Sequence, residues 1–395
     1  MSDVPKPLAP VAGRPFLDYL TENLAKEGIA DIVFMTGHRA DQIRDRFGDG
    51  KDRALSIAYS HETEPLGTGG ALRLALKSYA EDDELVLVLN GDSYFDIPIR
   101  SFLKVAEESK AGATIALKYL SDVGRYGTVE FQDGRIHAFK EKDESLDQGI
   151  INAGVYALRA GCIRGLSHEG AFSLERDVFP LMASRGDLAG AIYPGKFIDI
   201  GVESDYNRAN RDLPSWLGRA KIRAVFLDRD GIINKDRGYT GGADSIEFVE
   251  GSLDFMRALA ARDYGLIIVT NQAGIAKGKL TDEDHRLFMD RLLVALKQKG
   301  IGILGHYYCP FHPEASIAGY RRASFDRKPA PGMVLRAADE HFVDLAASWM
   351  IGDKESDRIE LPYLRSLILK GDYEVAAGPW TFGTFDAILR VIDRG

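Results

Sequence analysis

Short runs of aliphatic and β-branched residues alternate along this chain with stretches of helical spacing, and that alternation limits the possible folds more than any other feature. The runs are DIVFMT at 31–36, ELVLVLN at 84–90, ATIALKYL at 113–120, AVFLDRD at 224–230 and GLIIVTN at 265–271. A strand with one wet face alternates apolar with polar residues, so near-continuous apolar runs predict strands buried on both faces of mainly parallel sheets. Between them, residues 16–27 and 284–299 carry apolar side chains at helical spacing. The expected class is α/β, and 395 residues of ordinary globular composition predict two domains, each expected to be doubly wound on a mainly parallel sheet. The boundary is expected within RDLPSWLGRAK at 211–221, where a helix-like stretch should break at Pro214 and a basic patch precedes a new strand. That division gives domains of residues 1–215 and 216–395.

A formal net charge of -9 and a pI near 5.5 argue against general binding to nucleic acid or to an anionic membrane, which needs excess Lys and Arg. Any anionic ligand must then be met by local cations or a metal. Cys162 and Cys309 lie far apart and form no close-spaced metal pair, which points to a reducing cytosol rather than a disulfide scaffold. No basic-then-apolar leader follows Met1 and no apolar run is long enough to span a bilayer, so a cytoplasmic location is expected.

The run AVFLDRDG leads into Asp228 and Asp230, and residues two apart on an extended strand point the same way. Alone, the pair is equally an Asp-rich turn after a strand. Three further segments accompany it: GLIIVTNQAG ends a strand at Thr270, DRKPAPG supplies Lys328, and SWMIGDKESD supplies Asp353 and Asp357. In this order and spacing the four segments resemble the motif set of the haloacid-dehalogenase superfamily of phosphatases. The resemblance implies a magnesium-dependent phosphatase with Asp228 as nucleophile and Asp230 as acid and base. It gives the ion to the carboxylates of Asp228 and Asp353 and the backbone carbonyl of Asp230, supported from outside by Asp357. Thr270 and Lys328 would bind the phosphoryl oxygens. The chemistry demands such a set, because an anionic nucleophile attacks a phosphate dianion only where cations neutralise the repulsion.

The longer pattern LDRDGIIN, RGYTGGADSIEFVEG, TNQAGIAKG, YYCPFHPE, DRKPAPGM and IGDKESD closely resembles bacterial heptose bisphosphate phosphatases, with histidinol-phosphate phosphatases as relatives. It implies removal of the C7 phosphate from D-glycero-D-manno-heptose 1,7-bisphosphate, with Arg327 at the distal part of the substrate and Asn271 and Gln272 lining the pocket. Histidinol phosphate or another small phosphomonoester is the alternative, with a non-catalytic sugar-phosphate-binding or dimerisation module before it. That family's structural zinc sits on a Cys-x-His and a Cys-x-Cys pair, which read here as Cys309 and Phe311, then Ser324 and Asp326. No zinc is therefore expected, and packing by Tyr307, Tyr308, Phe311 and Phe325 should hold residues 305–326.

Residues 4–210 contain PKPLAPVAGRPFLDYL, HETEPLGTGGALRLAL, LVLNGDSYFD, GRYGTVEF, FKEKDE, INAGVYAL, FSLERDVFP and FIDIGVESDYNRAN. They resemble sugar-1-phosphate nucleotidyltransferases, nearest to the heptose 1-phosphate guanylyltransferases. The resemblance implies that Asp92 and Asp199 share a magnesium on a nucleoside triphosphate, GTP by analogy, and that Lys6 contacts the transferred phosphoryl region. Gly127, Glu141, Lys142 and Asn152 would cradle the sugar phosphate, and the glycine-rich PLGTGG loop would lie near the base. The strand and phosphate-cradling loop that precede PKPL in that family are missing from this sequence. A domain lacking its first strand is expected, from a late-assigned start codon or a truncated gene. Two domains resembling consecutive steps support one sugar-phosphate substrate between them; the oligomeric state is left open.

Overall fold

The computed structural model describes residues 4–143, 145–146, 148–167, 170–241 and 245–394. The chain divides into two compact units, Met1–Arg219 and Ala220–Gly395.

The first unit opens with a short hairpin, β1 (Pro10–Val11) and β2 (Arg14–Pro15), followed by β3 (Asp31–Thr36), β4 (Ser56–His61), β5 (Leu85–Leu89) and β6 (Ser93–Phe95). Its remaining strands are β7 (Ala113–Leu120), β8 (Thr128–Gln132), β9 (Arg135–Lys140), β10 (Gly149–Arg159), β11 (Leu188–Ile192) and β12 (Phe197–Asp199). The large sheet has the order β5-β10-β7-β11-β9-β8, while β3 with β4 and β6 with β12 form separate pairs. The α/β class holds, but this large sheet is mixed rather than mainly parallel: β10 runs antiparallel to both β5 and β7, and only β7 with β11 is parallel. An apolar run reports that a strand is buried, not which way its neighbour runs. The strands β3 and β5 are also less buried than their composition predicts, because β5 ends the large sheet and β3 has only β4 beside it among the described residues. Helix Glu203–Trp216 runs through Pro214 instead of breaking there. Proline in the last turn removes one backbone donor, and Leu217 N still closes onto Leu213 O at 3.3 Å.

The second unit is a six-stranded, wholly parallel sheet: β13 (Ala224–Leu227), β14 (Gly265–Asn271), β15 (Gly305–Cys309), β16 (Trp349–Gly352), β17 (Arg365–Leu369) and β18 (Thr381–Phe382), in the order β15-β14-β13-β16-β17-β18. Every residue of β13 is buried, as expected of an interior strand covered on both faces. Helix Asp282–Gln298 begins at a capping box, in which Thr281 and Asp284 satisfy each other's backbone N–H, and turns Phe288, Met289, Leu292 and Leu296 into the core. Among the described residues no helix is long and apolar enough to cross a membrane.

Candidate active site

In the second unit β13 lies between β14 and β16, so the residues just past the C-terminal ends of these three strands converge. They are Asp228 and Asp353, joined by Thr270 in the last pleat of β14 itself. Asp228 N donates to Ile351 O at 2.9 Å, which ties the carboxylate-bearing turn to β16. Two glycines make the close approach possible: a Cβ on Gly231, whose φ is +91°, would collide with the Asp353 carboxylate, and one on Gly352 would collide with Asp357.

Lys328 enters from the loop before helix Gly332–His341. Its buried ammonium donates to Val269 O at 3.0 Å and pairs with Asp228 Oδ1 at 2.9 Å and Asp357 Oδ1 at 2.5 Å. Asn271 positions this loop rather than lining open space: its Oδ1 accepts from Lys328 N and its Nδ2 donates to Lys328 O. Asp357 Oδ2 accepts from the backbone N–H of Asp353 and Lys354, at 3.1 and 3.0 Å, so it braces the turn that carries Asp353. Lys354 donates to Asp236 and lies over the Tyr373 ring.

Carboxylate oxygens of Asp228, Asp353 and Asp357 lie within 4.8 Å of one another, and Oδ1 of Asp353 is buried with no hydrogen-bond partner. Counting the buried charges, Asp228, Asp230, Asp353 and Asp357 outnumber Arg229 and Lys328 by two. All-oxygen donors with two surplus negative charges fit a small hard divalent cation. Burial, joined by the charge of Asp357, raises the Asp228 pKa against the pull of Lys328. Burial and the charge of Asp228 push Asp353 up to about 7.

The Asp353 shift gives a testable sign. Its folded-state pKa of about 7 exceeds the unfolded value of ~3.9, so the metal-free fold is favoured at low pH and loses stability as pH rises from ~4 through ~7. A divalent cation on the same oxygens offsets that loss. The rise in melting temperature caused by magnesium is therefore expected to be larger at pH 8 than at pH 5.5; equal shifts at both pH values would contradict this assignment.

Asp230 is the best-held carboxylate of the site. Arg229, wholly buried, donates to it through Nε (3.1 Å to each oxygen) and Nη2 (2.7 Å to Oδ2), while Asn234 Nδ2 reaches Oδ1 at 2.8 Å. Gln272 is buried too and does not line an open pocket: its Nε2 donates to Asp230 Oδ2 and Thr270 Oγ1, and its Oε1 accepts from Arg229. The sequence reading missed Arg229, Asn234 and His285. A cation between two aspartates at the end of an interior strand was the available signal, since it has no route to water.

Arg327 is more exposed than Lys328. It donates to Phe311 O at 3.4 Å, has no ion-pair partner among the described residues, and burial lowers its pKa. Lys277 and Arg327 both act on His312 electrostatically, so three basic groups gather there. In the segment before Arg327, Phe311 packs at a tilt against Tyr320 and lies under Arg322, Tyr308 packs at a tilt against His285, and Tyr308 and Tyr320 both donate to Asp282. Tyr307 donates to Glu340, and Phe325 O accepts from Gly332 N.

In the first unit, Asp92 follows β5 and Asp199 ends β12, and Lys6 stands within electrostatic reach of Asp92. Burial, then the charge of Asp199, raises the Asp92 pKa. Asp199 accepts from Ser93 Oγ at 2.9 Å and Gly201 N at 2.6 Å. Asn152 Nδ2 donates to Tyr156 OH, which donates to Glu175; Thr68 and Ser173 also donate to Glu175. Glu175 and Tyr156 were not singled out in the sequence, although FSLERDVFP contains the former. Gly127 lies against Lys140 O, next to Glu141 and Lys142, which are exposed.

Residues 2–215 match the nucleotidyl transferase family. Over 217 residues, 55% of this chain, the sequence is 37% identical to D-glycero-alpha-D-manno-heptose 1-phosphate guanylyltransferase of Aneurinibacillus thermoaerophilus, 93% of which is covered. A match of 136 residues, 34% of this chain, is 44% identical to D-glycero-beta-D-manno-heptose-1,7-bisphosphate 7-phosphatase of Salmonella typhi and covers 72% of it. The crystal structure of HddC from Yersinia pseudotuberculosis complexed with GMP-PN superposes with a TM-score of 0.49 at 30% identity, covering 54% of this chain and 91% of that one.

Proposed function

The chain belongs to the nucleotidyl transferase family through residues 2–215, and from that premise we propose a two-step enzyme of nucleotide-activated heptose synthesis. The second unit removes the C7 phosphate of D-glycero-D-manno-heptose 1,7-bisphosphate. The first unit takes the resulting 1-phosphate and joins it to a guanylyl group from GTP. The names of the two relatives support this order, because a 7-phosphatase acting on the 1,7-bisphosphate leaves the 1-phosphate that the guanylyltransferase is named for.

The observation that carries the phosphatase reading is the buried contact of Lys328 with Asp228 beside Thr270. Asp228 attacks phosphorus, and Thr270 donates its hydroxyl proton to a phosphoryl oxygen, since its Oγ1 already accepts from Gln272. All three Lys328 donors are engaged by Val269, Asp228 and Asp357. As the Asp228 oxygen becomes the bridging oxygen of an acyl phosphate it accepts more weakly, which frees one donor for the phosphoryl group. Asp230 protonates the leaving alkoxide and then takes the proton of the hydrolytic water. The carboxylates of Asp228 and Asp353 and the Asp230 carbonyl would hold magnesium, which when bound would supply charge neutralisation at the phosphoryl group. Arg327, which has no carboxylate partner among the described residues, faces the second phosphate.

The names of the relatives differ in anomer, alpha for the transferase and beta for the phosphatase, whereas successive steps in one chain need a common one. Phosphate release should therefore be measured from both anomers of the bisphosphate and from histidinol phosphate. Either bisphosphate anomer is expected to be the best substrate; faster release from histidinol phosphate overturns the heptose assignment. Pyrophosphate release from GTP with heptose 1-phosphate tests the first unit, and its absence assigns that unit to binding alone.

A further inference from the structure

We propose that Arg229 is the positioning residue of the phosphatase, holding the Asp230 carboxylate in place and linking it through Gln272 to the Thr270 hydroxyl that hydrogen-bonds the phosphoryl oxygens. The proposal rests on the phospho-aspartate reading above.

A guanidinium with no solvent exposure has to satisfy its donors inside the protein, and each neighbour of Arg229 is identifiable. Nε and Nη2 form a fork on Asp230; Nη2 also donates to Thr240 O at 3.1 Å and Gln272 Oε1 at 3.3 Å; Nη1 donates to His285 Nδ1 at 3.3 Å. The Phe288 ring lies 4.9 Å from the guanidinium carbon. Since Nδ1 of His285 accepts, the imidazole is neutral and adds no repulsion, and burial together with the Arg229 charge lowers its pKa to about 3. The guanidinium therefore has a fixed plane, and among the described residues only the Asp230 edge of that plane meets a carboxylate.

The second part of the arrangement is Gln272. One side-chain amide accepts from Arg229 and donates both to Asp230 Oδ2 (3.2 Å) and to Thr270 Oγ1 (2.8 Å). Thr270, Gln272, Arg229 and Asp230 thus form one continuous hydrogen-bonded unit. The group that contacts the phosphoryl oxygens and the group that handles protons share a common support.

Both chemical steps depend on this support. In the first, an Asp228 oxygen bonds to phosphorus as the P–O bond to the leaving group breaks, and the departing oxygen takes the Asp230 proton. In the second, water bonds to phosphorus as the P–O bond to Asp228 breaks, and the water proton passes to Asp230. An alkoxide leaving group needs that acid, whereas p-nitrophenolate leaves without it. Loss of orientation at Asp230 therefore has a leaving-group signature that general loosening of the site does not.

The test is Arg229→Lys, which keeps the charge but not the fork. In single-turnover measurements, phosphoryl transfer from the heptose bisphosphate is expected to slow ~100-fold, in the range of lost acid catalysis. The first-turnover release of p-nitrophenolate from p-nitrophenyl phosphate, which uses Thr270 but not the Asp230 proton, should slow by no more than ~10-fold, followed by a slow phase in which phosphoenzyme accumulates. Equal slowing of both substrates, or slowing of neither, overturns the proposal. Should the Lys variant fail to fold, Gln272→Met is read the same way, with the same asymmetry expected at ~5- to 10-fold. A wild-type protein that forms no phosphoenzyme removes the underlying reading and the proposal with it, whereas phosphoenzyme in the wild type without asymmetry in the variants removes the proposal alone.

Discussion

Replacing Asp228 by Asn is expected to reduce phosphatase turnover by ~10⁴-fold or more, because the amide cannot form the covalent intermediate. The variant should still fold. Asp228 is buried in a group whose negative charges exceed its positive charges by two, so an uncharged isostere relieves repulsion in the metal-free protein. Its charge is also the main electrostatic cause of the raised Asp353 pKa. Asp228→Asn should therefore bring Asp353 down toward the ordinary carboxylate range and raise the metal-free melting temperature at pH 8. Transfer of labelled phosphate to the protein, quenched in acid, checks the chemistry, and calorimetry checks the stability. A variant that still acquires label would move the nucleophile to another residue.

Lys328→Met is the second large effect. The ammonium is the cation that Asp228 and Asp357 share, at 2.9 and 2.5 Å, in a place where all three groups are buried. Removing one partner of a buried ion pair leaves uncompensated charge, and the expected destabilisation of the second unit is ~3–5 kcal/mol. Activity should be lost as well, but the stability change is the more specific readout. Adding Asp357→Asn to Lys328→Met should recover part of the loss, because the pair interacts directly and its energies do not add. Chemical denaturation of the single and double variants measures this. A cost below ~1 kcal/mol for Lys328→Met would mean that the carboxylates are neutralised by other means.

The convergence of the acidic residues in the second unit was largely legible because they sit at strand ends, and strand ends are marked by where an apolar run stops. The run at 265–271 is β14 from first residue to last, and the one at 113–120 is β7. Asp228, Thr270 and Asp353 follow from such runs, and parallel order then brings them together. Arg229 and Gln272 were harder to read. One stood unassigned between the two aspartates and the other was expected to line a pocket, yet each is buried and faces the interior of the site. Arg327 and Asn271 are adjacent in sequence to Lys328 and Thr270, but one points to a basic cluster and the other holds the lysine loop.

What the sequence determined by itself was the α/β class, the runs that become β7 and β14, and the identity of the acidic residues brought together in the second unit. These depend on periodicity and on the end of a hydrophobic run, properties carried by residues a few positions apart. Tertiary structure alone decided that the large sheet of the first unit is mixed, that β3 and β4 stand apart from it, that Pro214 stays inside its helix, and that Arg229 turns inward to hold Asp230. Each of these depends on which distant segment lies alongside. An apolar strand accepts neighbours running either way, and Arg229 with its neighbouring carboxylate is buried because an amide and a ring from elsewhere in the chain close around the pair.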